Sequence, residues 1–263
     1  MKNVLITLGD SFTQGDGCWD LSILDKEFGG KSFESLSNKE ESRFFKLNED
    51  RFLNLGWPSR LQEMLGYDEL YNLGWGGASI SHSIKILMDS IYYNDFSDCN
   101  VLLIHMMSFP DRISFYKNST IQTSRTGSPL HDLYIKEVNT GGMHSGNSDD
   151  TTLEAYFYMK ILKELCNSKG WDFLFCSTRG DENDHMNSYR DKQILRDNYM
   201  TFESILNVPM HQKSTICSHP NENGYLNISK KIFRYIIDTH PNIKIGSSDN
   251  FEKVFVRAND YNC

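Results

Sequence analysis

Ser11 follows a short apolar run, Val4-Leu5-Ile6-Thr7-Leu8, in the tripeptide Gly9-Asp10-Ser11, and His219 stands in Ser218-His219-Pro220-Asn221 near the other end of the chain. A serine hydroxyl is a weak nucleophile until a base takes its proton, and the oxyanion formed by attack on a carbonyl needs fixed hydrogen-bond donors. A serine presented at the carboxyl tip of a strand and a histidine in a late loop supply the nucleophile and the base. The Ser11 backbone N–H also qualifies as an oxyanion donor, and Asp10 shapes the turn through local hydrogen bonds. Gly74, Gly76 and Gly77, in the run Asn72-Leu73-Gly74-Trp75-Gly76-Gly77-Ala78-Ser79, permit close backbone approach and let an amide point at a substrate oxygen. The competing use of such glycines, a phosphate-binding loop, requires GxGxxG or a Walker lysine, and neither is present.

Positioning these residues requires strands that end at one edge. Asn3 to Leu8, Leu70 to Leu73, Val101 to Met106 and Asp172 to Cys176 are short, apolar and bounded by turn residues, as buried strands are. Helical patterns separate them. Pro58 suits a first turn, with Leu61 and Leu65 on one face and Gly66 as the stop. Ser79 is a candidate cap for Ile80, Ile84, Leu87 and Ile91. Leu153, Tyr156, Phe157, Ile161 and Leu165 mark a third helix ending near Gly170, and Tyr225, Ile228, Ile232 and Ile236 a last one after Pro220. Strands alternating with helices predict a single α/β domain over 1–263, with a central parallel sheet between two helical layers. Ligands bind such sheets beyond the carboxyl ends of the strands, where Ser11, Gly74 to Ser79 and Ser108 fall. Two charged or polar stretches, Asp20 to Asp50 and Asp111 to Asp150, depart from this rhythm and are expected to be insertions at the active edge, serving as a lid or substrate wall. Beyond Pro241 the chain extends into a further strand at Lys253 to Arg257 or an oligomer contact.

A net charge of −8 without a Lys/Arg block argues against a nucleic-acid surface. A mean hydropathy of −0.50 and no long apolar stretch argue against a membrane span. The first strand follows Met1 so closely that a cytoplasmic protein is expected. The six cysteines form no CxxC pair, and the remaining histidines no HExxH spacing, so no metal or cofactor is expected. Cys99 and Cys176 border apolar runs and suit buried thiols; a Cys18–Cys217 bridge is a weaker alternative. His105, closing an apolar strand, suits a core position.

These blocks resemble those of the SGNH (GDSL) hydrolase family: Gly9-Asp10-Ser11-Phe12-Thr13 its first, Asn72 to Ser79 its second, and His219-Pro220-Asn221-Glu222-Asn223-Gly224-Tyr225 its last. The resemblance implies a flavodoxin-like three-layer fold and ester hydrolysis through an acyl-serine. It assigns Ser11 as nucleophile, His219 as general base and the Gly77 amide as an oxyanion donor beside that of Ser11, with Asp10 and Asn72 supporting. Ser108 stands where the family's oxyanion asparagine belongs, and its hydroxyl can donate one hydrogen bond. Ile216 stands where the family has its aspartate. Either a backbone carbonyl or a carboxylate from elsewhere, with Asp181, Glu182 and Asp184 as candidates, must then orient His219, and a Ser–His dyad is the working mechanism. The polar loops around the site favour a short acyl group, such as acetate on a carbohydrate or similar polar substrate. A catalytically silent binding or structural protein and an acyltransferase are the alternatives. A homo-oligomer is compatible with all of them.

Overall fold

The computed structural model describes residues 1–107, 112–117, 120–125, 148–177, 199–201, 219–247 and 252–255. β1 (Lys2–Gly9) lies at the centre of a six-stranded parallel sheet. On one side it pairs with β2 (Glu69–Gly74), and on the other with β3 (Cys99–Met107). β6 (Asp172–Ser177) and β7 (Tyr199–Thr201) continue beyond β3, and β8 (Glu252–Phe255) covers the outer edge of β2. The sheet order β7-β6-β3-β1-β2-β8 is the flavodoxin-like arrangement with β8 added at one edge. The strand order reverses at β1 and β3, which opens the crevice where such sheets bind ligands.

β1 shows why two helical layers are needed. Its side chains alternate across the sheet. Val4, Ile6 and Leu8 join one apolar core, together with Ile86 and Leu87 of α6 (Ile80–Tyr93) and Met159 and Leu162 of α7 (Ser148–Lys169). Leu5 joins the opposite core, with Trp57, Leu61 and Leu65 of α5 (Trp57–Leu65) and Tyr225, Ile228, Ile232 and Ile236 of α8 (Glu222–Thr239). The result is a three-layer α/β/α sandwich, as the alternation of elements predicts. Pro58 lies in the first turn of α5, Gly66 closes that helix in the left-handed conformation, and the Ser79 hydroxyl caps α6 by accepting from the His82 N–H.

The stretch Asp20 to Asp50, expected to be an insertion, is not an irregular loop: residues 22–55 fold into α2 (Ser22–Phe28), a 3-10 turn at Phe33–Ser35, α3 (Asn38–Leu47) and α4 (Glu49–Leu55). Charge dominates this stretch of sequence and hides its core. Phe33, Phe44 and Phe45 pack on Trp19 and on one another in stacked and edge-on pairs, Phe28 packs on Phe44, and Phe45 reaches Phe52. A capping box between Ser37 and Glu40 starts α3. Buried Asn48 ties the unit down, accepting from the Asp20 N–H at 2.6 Å and donating to the Phe44 carbonyl at 3.0 Å.

Within the second polar stretch, β4 (Arg112–Lys117) and β5 (Thr120–Arg125) form an antiparallel pair, and α7 begins at Ser148. The tail strand is present as β8. Cys18 and Cys176 are buried free thiols, while Cys217 lies outside the described residues. His105 is buried against the Phe175 ring, and burial pushes its imidazole down to about 3. Among the described residues no helix is long and apolar enough to cross a membrane.

Candidate active site

The chain leaves β1 through a turn that only glycine permits. Gly9 has φ +150°, and a Cβ there would lie 2.3 Å from the Thr13 hydroxyl and 2.5 Å from the Met106 carbonyl. Gly74, at the end of β2, is equally constrained, since its Cβ would fall 2.4 Å from the Gln14 nitrogen. These two bare backbones let the one-turn helix α1 (Ser11–Gln14) lie across the ends of both strands. Asp10 is the cap of α1: buried, it accepts from the Phe12 N–H at 3.1 Å. The Ser11 N–H is thereby the first of the helix, a position without an earlier helical carbonyl to accept it. The Gly15 and Asp16 N–H groups both donate to the Ser11 carbonyl at 3.0 Å, fixing the Ser11 backbone from the other side.

His219 reaches this turn from the opposite end of the sequence. Its Nε2 lies 2.7 Å from the Ser11 Oγ, within hydrogen-bond reach, and its ring packs on Phe12 with centroids 4.8 Å apart. Asn221 holds the histidine loop by capping α8, accepting from the N–H groups of Asn223 and Gly224. Gly17 permits the close approach: its φ is +106°, and a Cβ there would lie 2.3 Å from the Pro220 carbonyl and 3.1 Å from the His219 Cβ. The Tyr225 hydroxyl donates to the Asp16 carbonyl at 2.7 Å. Glu222, in the first turn of α8, pairs with Arg60 at 3.2 Å and Arg51 at 3.8 Å, and Arg51 Nε donates to the Cys18 carbonyl. Ser11 and His219, 208 residues apart, are thus clamped together by both backbone and side-chain contacts.

The glycine block forms the third wall. The Ala78 N–H donates to the Trp75 carbonyl at 2.9 Å, closing a tight turn in which Gly77 has φ +82°. That conformation at the third turn position calls for glycine. The Gly76 N–H donates to the Gln14 Oε1 at 2.6 Å, so the turn is tethered to the helix that carries Ser11. Asn72 is buried; its Oδ1 accepts from the Gly74 N–H at 3.1 Å and the Thr7 hydroxyl at 3.3 Å, bracing the start of the same loop. Behind the turn Trp75 meets His82 edge-on, and burial followed by the Lys85 charge lowers the His82 imidazole to about 4. His82 is therefore a neutral packing residue.

Two residues of this site carry no motif signal that picks them out. Gln14 and Asp16 acquire their places only when α1 is laid against the Gly76 turn. Asp16 is partly buried, with its carboxyl pushed up to about 7, first by burial and then by the Asp10 carboxylate. Ser108, Ile216, Asp181, Glu182 and Asp184 lie outside the described residues. Trp57 is wholly buried in the core, while Trp19 belongs to the aromatic cluster of residues 22–55 and Trp75 to the glycine turn. Among the described residues no group of three or more His, Cys, Asp and Glu side chains is arranged to hold a metal ion.

No protein-family model matches the chain, and no curated protein matches it. Among solved structures, one described as "The active site of a carbohydrate esterase displays divergent catalytic and non-catalytic binding functions" is similar over 91% of this chain, at 11% sequence identity and a TM-score of 0.48. The match spans 66% of that structure's own length.

Proposed function

We propose that the protein is a serine ester hydrolase of the SGNH type, in which Ser11 attacks an ester carbonyl while His219 takes its proton. The 2.7 Å contact between Ser11 Oγ and His219 Nε2, at the carboxyl tip of the central strand, carries this reading. Attack forms a tetrahedral intermediate whose oxyanion rests on the Ser11 N–H and the Gly77 N–H, with the Ser108 hydroxyl as third donor. His219 returns the proton to the leaving alcohol, and water then repeats the sequence on the acyl-serine. A Ser–His dyad of Ser11 and His219 accounts for the chemistry. Gln14 and Asp16 make the described rim polar, which favours a short acyl group on a polar, hydroxyl-bearing alcohol over a long lipid chain.

Intact-mass measurement after treatment with a fluorophosphonate probe tests the proposal. One adduct is expected on the native protein and none on Ser11→Ala or His219→Ala. Turnover of 4-nitrophenyl acetate should fall by about 10⁴ in each variant. A well-folded protein that takes up no adduct would replace this reading with that of a silent member of the fold.

A further inference from the structure

Asp16 stands where all three walls of the crevice meet. Its N–H is bound to the Ser11 carbonyl, its own carbonyl receives the Tyr225 hydroxyl, and the next residue, Gly17, lies against His219 and Pro220. Its Oδ2 is 4.0 Å from the place a Cβ would take on Gly76, beside the turn that presents Gly77. The backbone of Asp16 is fully engaged, yet among the described residues no hydrogen bond or ion pair reaches its carboxyl. Among the described residues, Arg51 and Arg60 pair with Glu222. A partly buried carboxyl without a partner costs the fold stability, and such groups in clefts are candidates for contact with a ligand.

We propose that Asp16 is a substrate-binding residue that holds a hydroxyl group of the ester's alcohol portion. The inference rests on the esterase reading for its substrate, and deepens it by naming the group that recognises that substrate. A hydroxyl both donates and accepts, so it pairs with this carboxyl in either protonation state. Burial and the Asp10 charge keep the proton on Asp16 up to about pH 7, which suits a hydroxyl partner and disfavours a cationic one. Asp10 accepts from the Phe12 N–H, the Tyr225 hydroxyl donates to the Asp16 carbonyl, and His219 meets Ser11.

Three acetate esters separate the possibilities: glycerol monoacetate carries two free hydroxyls, ethyl acetate none, and acetylcholine a cation. In Asp16→Ala the ratio of kcat/KM for glycerol monoacetate to that for ethyl acetate is expected to fall at least about tenfold, because a site built to hold a hydroxyl discriminates through that bond. Asp16→Asn, which keeps two hydrogen-bonding atoms, retains part of the preference. An equal fall for both esters, or an unchanged ratio, overturns the proposal, as does a native preference for acetylcholine that collapses in Asp16→Ala. A binding arm does not depend on turnover: saturation-transfer NMR of glycerol monoacetate with Ser11→Ala should show contact that Ser11→Ala/Asp16→Ala loses. A fluorophosphonate adduct with an unchanged ester ratio removes the role of Asp16 and leaves the esterase. Absence of an adduct with Asp16-dependent binding removes the esterase and leaves the contact. Absence of both adduct and Asp16-dependent binding removes both.

Discussion

Replacing Asp16 by Asn should make the protein more stable at pH 8 and leave it nearly unchanged at pH 4. The folded carboxyl titrates at about 7 against an ordinary 3.8, a gap of about three pH units. The folded state therefore holds a proton that the unfolded chain has released throughout this window. Stability must then fall as pH rises from about 4 to about 7, and stay at its lower level above that. At about 1.4 kcal/mol for each pH unit the full penalty approaches about 4 kcal/mol, and contact with solvent at the edge of the crevice reduces it to about 2–4 kcal/mol. Asparagine has nearly the same shape and no charge, so it removes the penalty. Urea unfolding of both proteins at pH 4, 6 and 8 isolates this one group, because every other carboxyl is common to the pair. The variant's advantage should be within about 1 kcal/mol of zero at pH 4 and grow to its full value by pH 8. An advantage independent of pH, or a less stable variant at pH 8, would refute the electrostatic argument. A gain in stability in Asp16→Asn, together with the loss of ester preference in Asp16→Ala, would mark Asp16 as a residue kept for function at a cost to the fold.

Two further substitutions probe the walls of the site. Gly17→Ala places a Cβ 2.3 Å from the Pro220 carbonyl and 3.1 Å from the His219 Cβ, in a backbone conformation with φ +106°. Relief of that overlap must move the histidine loop by about 1 Å, which should lower kcat about 100-fold with the fold retained; a kcat within about threefold of native would show that the loop yields elsewhere. Gln14→Ala removes the 2.6 Å tether on the Gly76 N–H. The loss of one hydrogen bond costs about 1 kcal/mol of stability, while slackening of the turn that carries Gly77 should cut kcat about tenfold with KM little changed. A change in KM alone, measured by steady-state kinetics, would assign Gln14 to substrate binding instead.

Much of this architecture was legible in the residues because the signals are local. Val4, Ile6 and Leu8 alternate with Leu5, and a strand buried on both faces needs apolar residues at both parities, so β1 and its neighbours stand out. Ser79, Pro58 and Gly66 mark helix ends through caps that act within one turn. The helical unit at residues 22–55 was hidden because its aromatic side chains are spread among charged ones and show their common purpose only when Trp19, Phe33, Phe44 and Phe45 meet.

The pairing of Ser11 with His219 divides in the same way. Sequence determined the residue types, the glycines that bare the backbone around them and the strand end that presents the serine. Only the tertiary structure decided that Nε2 stands 2.7 Å from Oγ, because that distance is set by β1, α8 and the Gly17–Pro220 contact together. It also decided the standing of Gln14 and Asp16. Each is an ordinary polar residue along the chain, and each acquires its place from what the fold brings opposite it: a glycine N–H for Gln14, and for Asp16 a carboxyl set beside the Gly76 turn with no hydrogen bond or ion pair to it among the described residues. Hydrogen bonding and burial depend on distances across the fold, which local patterning does not encode.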